Sequence, residues 1–567
     1  MTKLSNKTKK TLMSVLMLFA IFAVLVLGLV ITMAVKNQWN MNSVVFYLRE
    51  VIIGNFLGVN AFLIGSIVFI GYLLLGRGIK DAILGFIKSG IGILVLSIGS
   101  GVLVSMCKEV FSGISSLGTG VTSLDPYLGW TSSQKFLETI NGQNLSAFIS
   151  YALLIGFAIN LVLVIFRRWT NVHSIMLTGH VMFQQAAMVV GGVTVSVFWS
   201  GAALTTGAQF GIIAISGVLL GLYWGVGSTA TIKGSDVVTQ GAGFCVGHQQ
   251  MLGLSLAYKI GRFFGKKEQS AENLVLPKKL KVFEDNIFTQ SLIMLVLFTI
   301  LILILHFGKG GIVAPNYKWD GAGLLKQWKV DGNVFWVFNI FLGSLKLVGA
   351  ILVIQTGVRM FVSELQQSFQ GIVEKVAPST VVAVDVAATY GFSSNSVTYG
   401  FVSGTIAQFI AVGLLIGLSK INFASGFRFE ITIPLFITLF FNSGSIGVFA
   451  NASGGYRAAL AIPAIFGFFE IILSSVGLSL LKHGETLRQG ANVAHVFGTG
   501  YIGMFDWNVV FAPLMGISSL NPYLGGALFG AAILVLMVGS QLIDSGRQSN
   551  PTFLQKLLNF KVTKYAH

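Results

Sequence analysis

Two clusters of histidine and glutamine stand inside strongly apolar sequence: "GHVMFQQ" at 179–185 and "GHQQ" at 247–250. On a helix His180 and Gln184, four apart, share one face, while Gln185 points elsewhere. His248 and Gln249 are adjacent and diverge on a regular helix; a helix end or re-entrant turn permitted by Gly247 would aim both inward. A carboxylate, Asp385, sits in "VVAVDVAATYGF", bracketed by apolar residues. A second, Asp125, precedes Pro126 and Tyr127 in the turn-like "SLDPYLGW". A lone buried His or Gln is ordinarily glue between helices. An ionisable Asp inside a span costs at least about 2.5 kcal/mol and is a functional candidate by default. Together the amides, imidazoles and carboxylate suit a small polyhydroxylated ligand with ring oxygens. A cation site would want more carboxylates, and a nucleophilic site a Ser or Cys beside a base; the sequence places neither.

The elements that must position these groups follow from composition. Of 567 residues, 54% are hydrophobic and only 10% charged, against roughly a quarter charged in soluble domains. This is the composition of an all-α polytopic membrane protein. Runs long enough to cross a bilayer include 11–35, 85–106, 149–166, 287–306, 333–356, 400–418 and 522–543. The pattern predicts about eleven core transmembrane helices plus one at the N-terminus. The 68 glycines fit helices packed through small residues, and they permit broken helices. The net charge of +17 does not imply nucleic acid, because the cations fall in short loops between apolar runs. Cys107 and Cys245 both lie in apolar sequence, without disulfide or zinc spacing.

The basic stretches "GRGIK" (76–80), "FRRW" (166–169), 258–281 and the tail from about Arg547 are expected in the cytoplasm, and 307–332 outside. "FSGI" at 111–114 recurs as "FQGI" at 369–372, 258 residues on, and each is followed by an acid, Asp125 or Asp385. The same offset carries His248 to Asp506. With the expected orientations the repeat is inverted, the architecture of many transporters. The expected organisation is an N-terminal extension with a transmembrane helix (1–45), a first inverted repeat (46–265), a cytoplasmic loop (266–286), a second repeat plus last helix (287–545) and a cytoplasmic tail (546–567). "GTGYIG" at 498–503 matches G-x-G-x-x-G outside any strand-turn-helix setting and is read as packing. Arg359 and Glu364 fall on an amphipathic stretch with their charges expected in solvent. "FFNSGSIGVFANASGGYR" (440–457) reads either as a re-entrant hairpin aiming Asn442 or Asn451 at a ligand or as close helix packing.

"RRWTNVHSIMLTGHVMFQQA", "GFCVGHQQ", "GVRMFVSELQQSFQGI", "AVDVAATYGF" and "FFNSGSIGVFANASGGYRAAL" occur in order, and over about residues 46–545 the chain resembles the ascorbate-specific enzyme IIC permeases of the bacterial phosphotransferase system (PTS). The resemblance implies a homodimer in the bacterial inner (cytoplasmic) membrane, each protomer with a scaffold domain of V-shaped helix pairs and a core domain with re-entrant hairpins that moves as an elevator. It implies substrate contacts at His180, Gln184, His248, Gln249 and Asp385. A Thr-Tyr pair of the family corresponds to Pro126 and Tyr127, and proline removes any backbone donation at 126. The implied activity is uptake of L-ascorbate coupled to its phosphorylation by a separate IIB protein, itself charged by IIA. No residue of this chain is expected to carry the phosphoryl group, and no metal or cofactor is called for. A proton- or sodium-coupled secondary transporter of a sugar acid or polyol, with Asp385 as the coupling carboxylate, is the alternative; a pore or a membrane receptor is more distant.

Overall fold

The computed structural model describes residues 23–57, 59–115, 120–199, 201–274, 286–309, 319, 325–330, 334–377, 380–421, 423, 427–490, 494–548, 550–560 and 562. The first half of the expected 11–35 helix and part of the basic 258–281 loop lie outside the described residues; Ala23–Lys36 is helical. Long helices dominate. In chain order they are α1 (Asn60–Leu74), α2 (Ile79–Ser115), α3 (Pro126–Thr139), α4 (Ala147–Ile165), α5 (Gly179–Val193), α6 (Thr206–Val238), α7 (Met251–Gly261), α8 (Asn286–Lys309), α9 (Trp336–Val376), α10 (Ser394–Leu418), α11 (Ser443–Gln489), α12 (Ala512–Ser519) and α13 (Pro522–Leu542). Among the described residues nine helical stretches are long and apolar enough to cross a membrane, against the eleven or twelve expected.

The chain divides into two compact units, residues 1–96 with 356–378, and residues 97–355 with 379–567. Each draws on both halves of the sequence. In the first, a Cβ on Gly92 would meet the Phe361 nitrogen at 2.6 Å and one on Gly357 the Leu96 nitrogen at 2.4 Å, so here α2 and α9 touch backbone to backbone. Glu364 is buried rather than solvated: the Tyr72 hydroxyl donates to it at 2.5 Å and the Lys88 ammonium stands 3.4 Å away. A carboxylate inside a helix pair needs such partners. Arg359 is exposed, as expected.

The second unit is mostly helical, as expected, and adds a few short strands to the helices. Five short strands, β1 (Val121–Leu124), β2 (Ser174–Met176), β3 (Phe244–Val246), β4 (Val381–Val384) and β5 (Ile431–Pro434), form two small parallel sheets. β1 pairs with β5 and is bridged by Tyr501; β4 lies between β2 and β3. The strands occur where helices are interrupted, and their ladders satisfy backbone groups that an apolar interior would leave bare. β4 begins 260 residues after β1 (121 to 381), β5 257 after β2 (174 to 431), and Tyr501 257 after Phe244 (244 to 501). Each central strand is thus flanked by the offset counterparts of the other's neighbours. The glycines of 498–503 serve this packing: a Cβ on Gly500 would meet Leu128 at 2.6 Å.

α11 is two helices joined at Gly455, whose φ of 67° and ψ of −165° belong to no L-residue helix. The chain reverses there, which is how Asn442 reaches Glu470 at 2.7 and 2.8 Å, 28 residues on. The 440–457 stretch is therefore the first arm and tip of a helical hairpin. α5 and α6 make a comparable hairpin, with Trp224 of α6 bonded to Gln185 of α5 at 2.6 Å. A Cβ at Gly455 would also stand 2.4 Å from the carbonyl oxygens of Lys266 and Gln269. Gly455→Ala is expected to destabilise the detergent-solubilised protein by about 2–4 kcal/mol, read as a lowered thermal unfolding midpoint; an unchanged midpoint would show that the reversal tolerates a side chain.

Candidate functional site

The three-stranded sheet explains how distant polar residues meet. Its strands are parallel, so their carboxyl ends lie together, the usual location of ligand sites on parallel strands. Just beyond those ends stand His180 after β2, His248 after β3 and Asp385 after β4. The backbone of β4 fixes the register on both sides: Leu177 N–H donates to Ala383 O at 3.0 Å and Gly247 N–H to Val384 O at 2.8 Å. Space at Gly247 is tight, since a Cβ there would meet Met176 at 3.0 Å and Ala383 and Thr178 at 3.2 Å. Each strand then leads into a helical segment: α5 from Gly179, α7 from Met251, and a 3₁₀ turn from Val386. Helix N-termini carry free N–H groups and positive potential, which favours anionic or oxygen-rich ligands.

His180 Nε2 lies 3.1 Å from Asp385 Oδ2, and Asp385 Oδ1 accepts from Ala387 N–H at 2.9 Å. The Asp385 side chain remains 32% exposed, so this carboxylate is braced from behind and open in front. His180 Nδ1 is buried without a hydrogen-bond partner. The His248 ring stacks on Phe441 with centroids 6.1 Å apart, and Tyr390 stacks on the same ring at 6.0 Å. His248 Nδ1 lies 2.7 Å from Gln250 Oε1. The Gln250 nitrogen donates to Phe441 O at 2.8 Å and Ser445 Oγ at 2.6 Å. Gln249 donates to Gln184 at 2.8 Å, closing the two sequence clusters into one network. Gln185 does not point away from it, as helical spacing suggested: its nitrogen reaches Gln249 Oε1 at 2.9 Å. Glutamine is long enough to cross from its own helix face to a neighbour's turn.

Pro126 and Tyr127 do not belong to this sheet; they follow β1. Pro126 occupies the first position of α3, where its missing N–H costs the helix nothing, and Asp125 caps the next two amides at 2.9 and 3.1 Å. α3 runs along α5 in the same sense, with Trp130 edge-on to Phe183 at 5.4 Å and Ser133 donating to Ala187 O at 2.6 Å. Tyr127, one turn before Trp130, therefore comes at the His180 end of α5. Asn442 and Asn451 are both engaged in hydrogen bonds within the protein. Asn442 holds Glu470 and accepts from Phe505 N–H at 3.1 Å, and Asn451 accepts from Ala271 N–H at 2.8 Å.

Sequence patterns missed several supporting groups. Gln250, Ser445, Tyr390 and Trp224 carried no signal of spacing. Asp506 emerged only as an offset partner of His248, and the structure gives it a definite task. It is fully buried, and it accepts from Leu252 N–H and Gly253 N–H at 2.8 Å each and from the Tyr223 hydroxyl at 2.6 Å. It thereby caps α7 from a distant segment and holds the turn that carries His248.

Long apolar helices interrupted around a buried polar cluster define a multi-pass membrane protein. The family is narrower still: residues 55–511 match the model of the PTS system sugar-specific permease component, and the chain belongs to that family. It is a multi-pass protein of the bacterial inner membrane. The chain is also similar to a protein of Mycoplasma pneumoniae (strain ATCC 29342 / M129 / Subtype 1) named ascorbate-specific PTS system EIIC component, 41% identical over 598 aligned residues that span 91% of this chain and 90% of that protein.

Asp506→Ala would leave two backbone N–H groups unsatisfied, each costing about 1–3 kcal/mol, while the Tyr223 hydroxyl keeps only the longer bond to Gln249 O at 3.3 Å. The variant is expected to unfold at a clearly lower temperature and to exchange the Leu252 and Gly253 amides faster; protection equal to the parent would deny Asp506 its capping role.

Proposed function

We propose that this chain is the IIC permease of a PTS that takes up L-ascorbate, which a separate IIB protein phosphorylates as it enters. The observation that carries the proposal is the convergence of His180, His248 and Asp385 at the ends of three parallel strands, with the Asp385 side chain part-exposed. The named substrate of the Mycoplasma relative supports ascorbate in particular. His180, Gln184, His248, Gln249 and Asp385 contact the substrate, with Tyr127 and the Pro126 turn closing the site from α3. An anionic ligand beside Asp385 is tolerable because His180 already braces the acid and the start of α5 supplies positive potential.

The alternating access is elevator-like, within a homodimer. Support for this comes from the inverted repeat, 46–265 and 287–545, whose strand offsets and reciprocal pairing fit two related halves. The two hairpins, α5–α6 and the arms of α11, are its re-entrant elements. The two compact units fit a scaffold and a core domain.

Membranes containing this chain, supplied with purified IIA, IIB and phosphoenolpyruvate, are expected to yield phosphorylated ascorbate; none would mean that group translocation is wrong. Uptake that collapses on adding a protonophore at constant phosphoenolpyruvate would instead make Asp385 a coupling carboxylate. His180→Ala, Gln249→Ala and Asp385→Asn should each weaken ascorbate binding about tenfold or more without loss of membrane insertion; unchanged affinity in all three would remove this pocket. The exposed cations Lys259, Arg262, Lys266 and Lys267 form a docking surface for an acidic face of IIB. IIB affinity should accordingly fall as salt rises, and a salt-independent Kd would rule the surface out.

A further inference from the structure

We infer that Trp224 and Gln250, neither of which need touch the ligand, fix the hydrogen-bonding polarity that the pocket offers. The inference follows from counting donors and acceptors. An indole N–H can only donate. Trp224 Nε1 donates to Gln185 Oε1 at 2.6 Å, so the Gln185 nitrogen lies on the other side, where it donates to Gln249 Oε1 at 2.9 Å and His248 O at 3.2 Å. The Gln249 nitrogen must then donate to Gln184 Oε1, 2.8 Å away. Reversing any one amide would set two donors or two acceptors face to face in a buried network. The relay therefore ends with the amide nitrogen of Gln184 as the group turned to the ligand.

Gln250 sets the second polarity. Its nitrogen is committed to Phe441 O and to Ser445 Oγ, whose own hydrogen goes to Phe441 O. Gln250 Oε1 therefore faces His248 Nδ1 at 2.7 Å, and an oxygen there requires a hydrogen on Nδ1. A neutral imidazole has one N–H, so His248 Nε2 holds a lone pair. Asp385 is likewise an acceptor, with one oxygen bonded to His180 and the other to Ala387 N–H. The ligand thus meets acceptors at His248 and Asp385 and a donor at Gln184. Hydroxyl groups belong on the first side, and a carbonyl or anionic oxygen on the second. For ascorbate, this places the side-chain diol toward His248 and Asp385 and the enolate ring toward Gln184. That orientation rests on the proposed function; the polarity itself does not.

The test uses the full chain, ¹⁵N-labelled at histidine, in lipid nanodiscs without ligand. The His248 resonances, assigned by their loss in His248→Ala, should show a protonated Nδ1 and a bare Nε2. Gln250→Met should move the hydrogen to Nε2 or mix the two forms, and raise the Kd for ascorbate about tenfold. Gln250→Glu, an acceptor at the same place, should keep the hydrogen on Nδ1. Trp224→Phe should leave the His248 signature unchanged while weakening ascorbate binding about tenfold, because Gln185 loses its shortest bond and is then oriented only by the longer one to His248 O. The inference is overturned if wild-type His248 carries its hydrogen on Nε2 or on both nitrogens, if Gln250→Met gives the wild-type spectrum, or if Trp224→Phe binds ascorbate as the parent does. Should Gln250→Met fail to fold, the wild-type spectrum and Trp224→Phe still decide the matter. Failure of the wild type to bind ascorbate at all would sink the proposed function and leave the ¹⁵N result standing.

Discussion

Every backbone N–H and C=O within an apolar interior needs a partner, and this requirement governs the second unit. A transporter site made by breaking helices exposes such groups at the depth where water is scarce. Here the breaks are closed by strand pairing. Because β2, β4 and β3 are parallel and in register, satisfying their backbones also brings their carboxyl ends level. His180, His248 and Asp385 come together for that reason. The site's geometry is a by-product of main-chain hydrogen bonding, with the side chains added at positions the ladder already defines.

The same device occurs twice with different outcomes. β1, β5 and the Tyr501 segment repeat the arrangement of β4, β2 and β3 at offsets near 258, yet the polar residues beyond them are closed off. Asp125 is buried and caps α3; Asp506 is buried and caps α7. Of their counterparts, Asp385 keeps a part-exposed side chain, while His248 is buried against Phe441. Asp506 also shows how the two copies cooperate, since its carboxylate steadies the very turn in which His248 sits.

The residues of the candidate cluster were legible because polar groups are costly in such surroundings, so His180, Gln184, His248, Gln249 and Asp385 stood out against apolar neighbours. Their supporters were not legible. Tyr223 and Trp224 look like ordinary aromatic core, and only the bonds to Asp506 and Gln185 give them direction. The strands were missed because three or four apolar residues cannot be told from a helix by periodicity. Glu364 was expected in solvent because amphipathic spacing does not reveal whether a tyrosine and a lysine wait across the interface. For Asn442 and Asn451 the sequence left a ligand-facing and a packing reading open; in the structure Asn442 bonds across the hairpin to Glu470, and Asn451 bonds Ala271 outside it.

A buried network of neutral amides has a property that its individual members lack. An isolated glutamine can turn its oxygen or nitrogen either way at little cost, so it offers a ligand no fixed message. Joined in a chain and removed from water, each amide is constrained by the last, because a mismatched pair leaves groups unsatisfied with no solvent to rescue them. Direction then has to come from a group that cannot turn its polarity around. Trp224 supplies it at one end of the chain, and the Phe441 carbonyl supplies it for Gln250. A pocket so arranged can distinguish hydroxyl hydrogens from anionic oxygens with uncharged side chains alone, leaving Asp385 as the one open carboxylate in the cluster rather than one of several.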